Sequence, residues 1–499
     1  MLVPLFIIGL LSTSAIWIWW ITRRPHNFPP GPPGFFSLTT LRQVEEPLIV
    51  KVMAKLSEQY GPVVGLFLAN RPFICISGYE AVRDVMLNPD LLGRPDSFVF
   101  RLRTKMLKTG ILITDGDVWK EQRRFVMRHL RDFGFGKSSM EGMILDGVQD
   151  VLNDLEFLIK SSFDGHISLE NLFTAAFVNI TWALVAGKRI PRGDPQLEKV
   201  VGAVSGFLRA TSVTGAISHF PFLRFIAPEW TGYNRLVKYI NIFRSYIEEV
   251  VEEHRRAGRI GDEVRDFIDV YLNKLDSERN NAQTNFTEEQ MMGIIMDLFT
   301  AGIETTSSFL GFALIYMILN PDVQTKVQEE IDSVLHGNLP SLANLTSLPY
   351  TEATLMEIQR LGIVAPIPVP HVAMENTTFQ GFNIPKGTMI FVNLWSVFMD
   401  PALWADPLLF RPERHLDDRG RAVKSEYLVT FGIGKRVCLG ESLAKSAIFL
   451  FFVTLMQRFR FAMPKNTSEP NLIPSPEPIP GLTFGPKPCI ARISQRSAL

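Results

Sequence analysis

The sequence predicts a mainly helical protein with a few small β-sheets, and three observations carry that expectation. The run from Met291 to about Leu319 is long and apolar on every side, the pattern of a helix buried in a large core. Residues 138–275 alternate amphipathic helical stretches with short polar breaks. Strand-like runs are few and short, at 63–77, 379–384 and 388–394, each beside turn residues.

Composition narrows the function classes. Lysine plus arginine and aspartate plus glutamate both number 51, so no global charge argues for nucleic acid or an acidic partner. A hydrophobic content of 46% is ample for a large core. No Gly/Ser or charged linker interrupts the chain after residue 50, so one large domain over 49–499 is expected, against the length rule. The three cysteines, Cys75, Cys438 and Cys489, make no disulfide framework and no C-x-x-C or C-x-x-C-H motif. That sets aside zinc and c-type haem sites and fits a reducing compartment.

Residues 1–22 carry no charge and are long enough to cross a hydrocarbon layer of ~30 Å. Trp17, Trp19 and Trp20 gather at the end of this run, and Arg23 and Arg24 follow it. Indoles favour the interface and cations stay on the cytosolic side. The expectation is an uncleaved single-pass anchor with the rest of the chain cytosolic. A cleaved secretory peptide fits less well, because the charges lie on the wrong side of the apolar run. In a cytosolic domain the sequons at Asn179, Asn285, Asn344, Asn376 and Asn466 would stay unmodified.

Residues 23–48 form a basic and proline-rich linker, in which Phe28–Gly34 is stiff and helix-breaking. A hairpin follows over 63–77 with its turn at Ala69–Pro72, then a helix over 79–89. Arg94 precedes an expected apolar and basic loop from Phe98 to Lys108. Trp119 and Arg123 lie four apart at a helix start, so an indole N–H and a guanidinium share one face and suit a carboxylate. The segment His219–Pro228 is a strongly apolar loop that must be buried or touch something greasy.

Thr287-Glu288-Glu289-Gln290 reads as the capped start of the long apolar helix. In its middle, Ala301-Gly302-Ile303-Glu304-Thr305 places an acid and a hydroxyl beside a glycine. A buried acid is expensive unless it has partners or work to do. Gly302 lets a flat or diatomic ligand near the backbone, Thr305 can donate and hold a water, and Glu304 can feed protons. Glu357 and Arg360, three apart on a helix at about 349–362, can pair on one face. Prolines 366 and 368 extend the chain after it. Finally, Phe431-Gly432-Ile433-Gly434-Lys435-Arg436-Val437-Cys438-Leu439-Gly440 holds one cysteine among glycines, with a cation two residues upstream and a helix, 441–457, after it. Amide donors, Arg436 and the helix start all favour a thiolate, which suits one axial position of a haem iron.

This decapeptide matches F-x-x-G-x-R-x-C-x-G and resembles the haem-binding signature of the cytochrome P-450 superfamily, the haem-thiolate monooxygenases. The resemblance covers nearly the whole chain. Ala301–Thr305 resembles the family's A-G-x-[DE]-T, Trp119 and Arg123 its W-x-x-x-R, and Glu357 and Arg360 its E-x-x-R, completed by Arg414. At two places the chain departs from the pattern: Phe35–Thr39 after the hinge, and His415 where an aromatic is usual.

The resemblance implies the cytochrome P-450 fold, haem b with Cys438 as its metal ligand, and Thr305 and Glu304 as catalytic groups. Arg94, Trp119, Arg123, Ala301, His371, Phe431, Arg436 and Gly440 would contact the cofactor, and Glu357, Arg360 and Arg414 would be structural. Phe98, Phe100, Leu298, Ala301, Val364 and Ile367 would line an apolar substrate pocket, while the loop at 219–228 would meet the membrane. Electrons would come from NADPH through a partner reductase, with cytochrome b5 as a further partner, at the endoplasmic reticulum. Lys120, Arg124, Arg128 and Lys435 could receive an acidic partner surface. The overall texture is family-2-like and somewhat like the arthropod epoxidases of methyl farnesoate; fatty-acid, steroid or xenobiotic oxidation are the rival substrates. A haem-thiolate isomerase and a non-catalytic, membrane-tethered haem protein are the rival classes.

Overall fold

The long helix forms as its sequence predicts. It runs Glu288–Leu319, and the Thr287 side chain accepts a hydrogen bond from the Gln290 amide at its start. The structure, a computed structural model, describes residues 24–32, 48–68, 71–134, 138–162, 165–191, 193–210, 216–258, 264–465, 472–481 and 483–496. The expected anchor, the departing stretch Phe35–Thr39 and the turn residues Ala69 and Asn70 lie outside them. Among the described residues one helix is long and apolar enough to cross a bilayer. It is this same Glu288–Leu319, and 78% of its apolar window is buried inside the protein, which makes it a core helix. Helices predominate and the sheets are small, as expected. The chain divides into two compact units interleaved along the sequence. One takes in the chain up to Pro95, Pro366–Ala405 and Gly432–Val437; the other holds Asp96–Ala365, Asp406–Phe431 and Cys438–Leu499.

The first unit is built on a four-stranded sheet. Val63–Leu68 pairs antiparallel with Arg71–Ile76, which pairs parallel with Met389–Val392, which pairs antiparallel with His371–Val372. The helix Ile49–Tyr60 packs Val52, Met53 and Leu56 against Val64, Leu66, Phe73 and Cys75 of this sheet. The proline-rich segment is docked here. The Gly65 amide donates to Pro30 O at 2.7 Å, and Arg24 donates to Pro29 O, Pro32 O and Gly65 O at 2.7, 2.8 and 3.2 Å. Any side chain at Gly31 or Gly65 would collide with backbone, since an added Cβ would lie 2.1 Å from Gly65 O or 2.3 Å from Pro29 O.

The second unit buries the long helix against Thr174–Ala186 and Glu441–Arg458, both apolar around most of their circumference. Trp182 meets Phe299 edge-on at 4.9 Å, and Phe177 stacks on Phe451 at 5.1 Å. A three-stranded sheet, His166–Ser168, Ile490–Gln495 and Phe459–Ala462, closes one end of this core.

The Phe98–Lys108 stretch is not all loop: Phe98–Leu102 is a short helix. The turn after this short helix is tied to the long one by buried charge. Arg103 donates to Asp297 Oδ1 at 2.6 Å, while Asp297 Oδ2 accepts the Ile111 and Leu112 amides at 2.7 and 2.8 Å. Periodicity alone is silent about such a tether, because its two halves are 194 residues apart.

Candidate active site

Cys438 is held by its loop and by the helix beyond it. Its amide donates to Phe431 O at 2.9 Å, closing the loop, and the amides of Gly440 and Glu441 point at the sulfur. Glu441 opens the helix Glu441–Arg458, so the positive end of the helix dipole faces the thiol. Burial pushes the Cys438 thiol above its ordinary value and the Glu441 carboxylate adds to this, while the two amides and Arg123 pull it down. Many protein atoms crowd the residue, yet it remains solvent-accessible. The other two thiols are enclosed: burial raises Cys75 to about 12 and Cys489 to about 11. Among the three, only Cys438 is both reachable and supplied with donors, the environment a thiolate ligand needs.

In the same unit, Arg123 lies with its guanidinium 5.8 Å from the Trp119 ring, on one face of the helix Gly116–Asp132. Burial lowers the Arg123 pKa, opposed by attraction to Cys438. The long helix opens at mid-length. Ala301 is exposed and Gly302, Glu304 and Thr305 are half-buried, inside a helix most of whose residues are buried. Thr305 Oγ1 donates to Ala301 O at 2.7 Å, and Glu304 accepts from Ser205 Oγ at 3.4 Å. An accessible stretch in the middle of a core helix is what a cofactor and its small ligand need for approach.

The first unit gathers a second set of donors. Gly93 and Val372 exchange amide hydrogen bonds at 3.1 and 3.0 Å, which brings Arg94 beside His371. Arg94 donates to Pro370 O at 3.4 Å, and Arg436 to Leu92 O at 3.1 Å. Burial first, then Arg94 and Arg436, hold the His371 imidazole well below its ordinary pKa and therefore neutral. Its Nδ1 is buried without a hydrogen-bond partner among the described residues. Beside the ring, the Arg94 and Arg436 guanidinium groups suit a carboxylate such as a haem propionate.

Glu357 anchors a buried cluster in the second unit. Arg360 binds it bidentately at 2.8 and 2.9 Å, Arg414 donates at 3.0 Å, the Arg411 amide at 3.0 Å, and His415 Nε2 faces it at 3.1 Å. Glu357 and Arg360 are both 0% exposed. His415, which departs from the usual aromatic, is thus a working member of the cluster.

The expected pocket residues divide. Phe98 stacks on Tyr233 at 6.4 Å, Leu298 is half-buried, Val364 is buried and Ala301 is open, all in the second unit. Phe100 is 1% exposed with Arg103 over its ring, which removes it from any accessible surface. Ile367 is half-buried in the first unit, packed on the sheet core. Two residues of interest carried no motif: Ser205 and Asp297. A lone acid in an apolar helical run was the available signal for Asp297; Ser205 had none.

A family model described as cytochrome P450 matches residues 29–491. Human "Cytochrome P450 2U1" is 35% identical over 522 residues, spanning 99% of this chain and 93% of its own. Fruit fly "Probable cytochrome P450 305a1" is 34% identical, spanning 99% and 97%, and silkworm (Bombyx mori) "Farnesoate epoxidase" is 33% identical, spanning 96% and 97%. A match of this extent brings with it haem with a cysteine thiolate ligand, electrons from a redox partner and a small-molecule substrate. The chain belongs to the cytochrome P450 family and is a haem-thiolate monooxygenase.

Proposed function

We propose that Cys438 is the thiolate ligand, and that the protein hydroxylates or epoxidises a lipophilic substrate, a sesquiterpenoid such as methyl farnesoate. The observation that carries the first half is the reachable thiol with two amides aimed at it, beside two enclosed cysteines. When bound, haem supplies the activation of molecular oxygen. The chain's own groups would bind and orient. The Gly440 and Glu441 amides and Arg123 stabilise the sulfur charge. Trp119 with Arg123, and His371 with Arg94 and Arg436, are two donor sets suited to carboxylates. Thr305, whose hydroxyl rests on Ala301 O, would turn to donate to a water, and Glu304 would carry protons to it. The similarity to the silkworm epoxidase supports the sesquiterpenoid, and the apolar side chains of Phe98, Leu298 and Val364 support a lipophilic substrate.

A carbon-monoxide difference spectrum of the reduced protein tests the thiolate: a thiolate-type Soret shift is expected, and its absence would sink the reading. Turnover with NADPH and a flavoprotein reductase, with and without cytochrome b5, over methyl farnesoate, a fatty acid, a steroid and a xenobiotic tests the rest. The epoxide of methyl farnesoate is the expected product. Lys120, Arg124 and Arg128, exposed at four-residue intervals on one helix, give the reductase a basic stripe. Lys435 is a further exposed cation, in the first unit.

The proposed location is the endoplasmic reticulum membrane, with residues 1–22 spanning it once and the catalytic chain cytosolic. The segment 219–228, expected as a loop, contains the short helix Leu223–Ile226. Phe222, Phe225, Ile226 and Trp230 are 56, 76, 73 and 75% exposed, an apolar patch suited to the same bilayer. In the full chain reconstituted with brominated phospholipid, native fluorescence should be quenched more than that of Trp230→Phe. Phe225→Glu should weaken this quenching. Equal quenching of native protein and Trp230→Phe would count against the patch.

A further inference from the structure

Arg224 stands between the exposed apolar patch and the buried ring of Phe98. Its guanidinium carbon lies 4.5 Å from the centre of the Phe225 ring and 5.0 Å from that of Phe98. The first ring is 76% exposed and the second is buried, so the cation sits where the patch meets the interior. The two short helices that carry these residues, Phe98–Leu102 and Leu223–Ile226, come from separate parts of the chain. Ring contacts engage the face of a guanidinium, whereas its five N–H donors lie along the edge and suit a carboxylate. The Arg224 donors reach no hydrogen-bond acceptor and no carboxylate among the described residues. Glu229, the one acid from 211 to 240, accepts from Asn234 at 2.6 Å instead. Arg103, Arg244 and Arg360, by contrast, each pair with a carboxylate within the same unit.

A half-buried cation loses part of its hydration, and the two rings offset only some of that loss. An acceptor from outside the chain would complete it. The surroundings select which acceptor. Phe98 and Phe225 on either side, and the exposed Phe222 and Ile226 nearby, are apolar, so the acceptor must arrive attached to a hydrocarbon body. We infer that Arg224 is a specificity-determining residue: it holds the carboxylate, or more weakly the ester carbonyl, at the polar end of a lipophilic substrate whose hydrocarbon body lies past Phe98. The inference rests on the lipophilic-substrate reading and narrows it. Guanidinium N–H groups donate to a carboxylate with charge on both partners, to an ester carbonyl with charge on one, and to a hydrocarbon not at all. The share of affinity owed to Arg224 therefore falls in the order acid, ester, hydrocarbon for one carbon skeleton. Holding one end also limits which bonds of the skeleton reach the reaction, so Arg224 restricts the positions that are oxidised.

The test is binding to the full, haem-loaded chain in a non-ionic detergent, read from the change of the Soret band on titration. The probes are farnesoic acid, methyl farnesoate, the hydrocarbon farnesene and the fatty acid laurate. In Arg224→Gln the dissociation constant should rise about tenfold or more for the two acids and about threefold for the ester, and stay native for farnesene. Arg224→Lys, which keeps the charge, should recover much of the acid binding. In turnover, the products of methyl farnesoate should spread over more positions in Arg224→Gln. Native affinity for the acids in Arg224→Gln overturns the inference, and so does an equal loss for acid and hydrocarbon, which marks a role in shape alone. If Arg224→Gln lacks the native carbon-monoxide Soret shift, Arg224→Met carries the same expectation. Flotation with phosphatidylcholine vesicles separates the other source of an anionic oxygen. Vesicle binding that weakens in Arg224→Gln while acid binding stays native assigns the cation to lipid phosphate and overturns the inference. Laurate binding that depends on Arg224, with no binding of either sesquiterpenoid, would keep the inference and sink the sesquiterpenoid reading instead.

Discussion

Cys438→Ser is expected to reduce monooxygenase turnover to background and to remove the thiolate-type Soret shift, while membrane attachment and helix content remain. The reasoning separates the sulfur from its scaffold. The loop is closed by the Cys438 amide on Phe431 O, a backbone bond that serine keeps. The Gly440 and Glu441 amides lose only the atom they point at. What disappears is a soft, charged donor, and a serine hydroxyl does not replace a thiolate as an electron-releasing ligand. Circular dichroism and flotation with vesicles check the scaffold, and the difference spectrum and turnover check the ligand. Undiminished turnover would remove Cys438 from its proposed role.

Glu357→Ala should have the largest effect on stability, about 3–5 kcal/mol, because it leaves the Arg360 and Arg414 charges buried without their shared partner. Its pH dependence has a definite sign. Burial opposes the Glu357 charge, but hydrogen bonds from Arg360, His415 and the Arg411 amide outweigh it and hold the carboxyl at about 2, against an ordinary 4.5. A depressed carboxyl pKa stabilises the fold fully above the unfolded value and loses that contribution as the pH falls through the folded one. The thermal stability of the native protein should therefore fall between pH 4.5 and about 2, with on the order of 3 kcal/mol lost from this group. In Glu357→Gln that part of the slope should be absent. A parallel slope in the two proteins would show that the cluster does not carry the titration.

Local chemistry was legible where a motif packs its partners within a few residues. The cap at Thr287, the helix holding Glu357 and Arg360, and the glycine-rich loop of Cys438 each bind within a turn or two, so spacing alone announced them. The stretch at Phe98–Leu102 read as a loop because five residues give too little periodicity to mark a helix. His415 looked like a departure because its partner, Glu357, lies 58 residues away.

The sequence by itself determined the class of chemistry: one thiol in a donor-rich loop, an acid–hydroxyl pair in an apolar helix, and paired charges that need burial. Tertiary structure alone decided which thiols are enclosed, that Arg103 meets Asp297, that Ser205 faces Glu304, and that Phe222, Phe225, Ile226 and Trp230 stay outside. The physical reason is range. Hydrogen-bonded turns and helix faces are fixed by neighbours three or four residues apart. Burial and charge pairing are set by residues the chain must fold to bring together, and these leave no period in the sequence. The loop of Cys438 lies in the first category. The meeting of Arg224 with Phe98 lies wholly in the second.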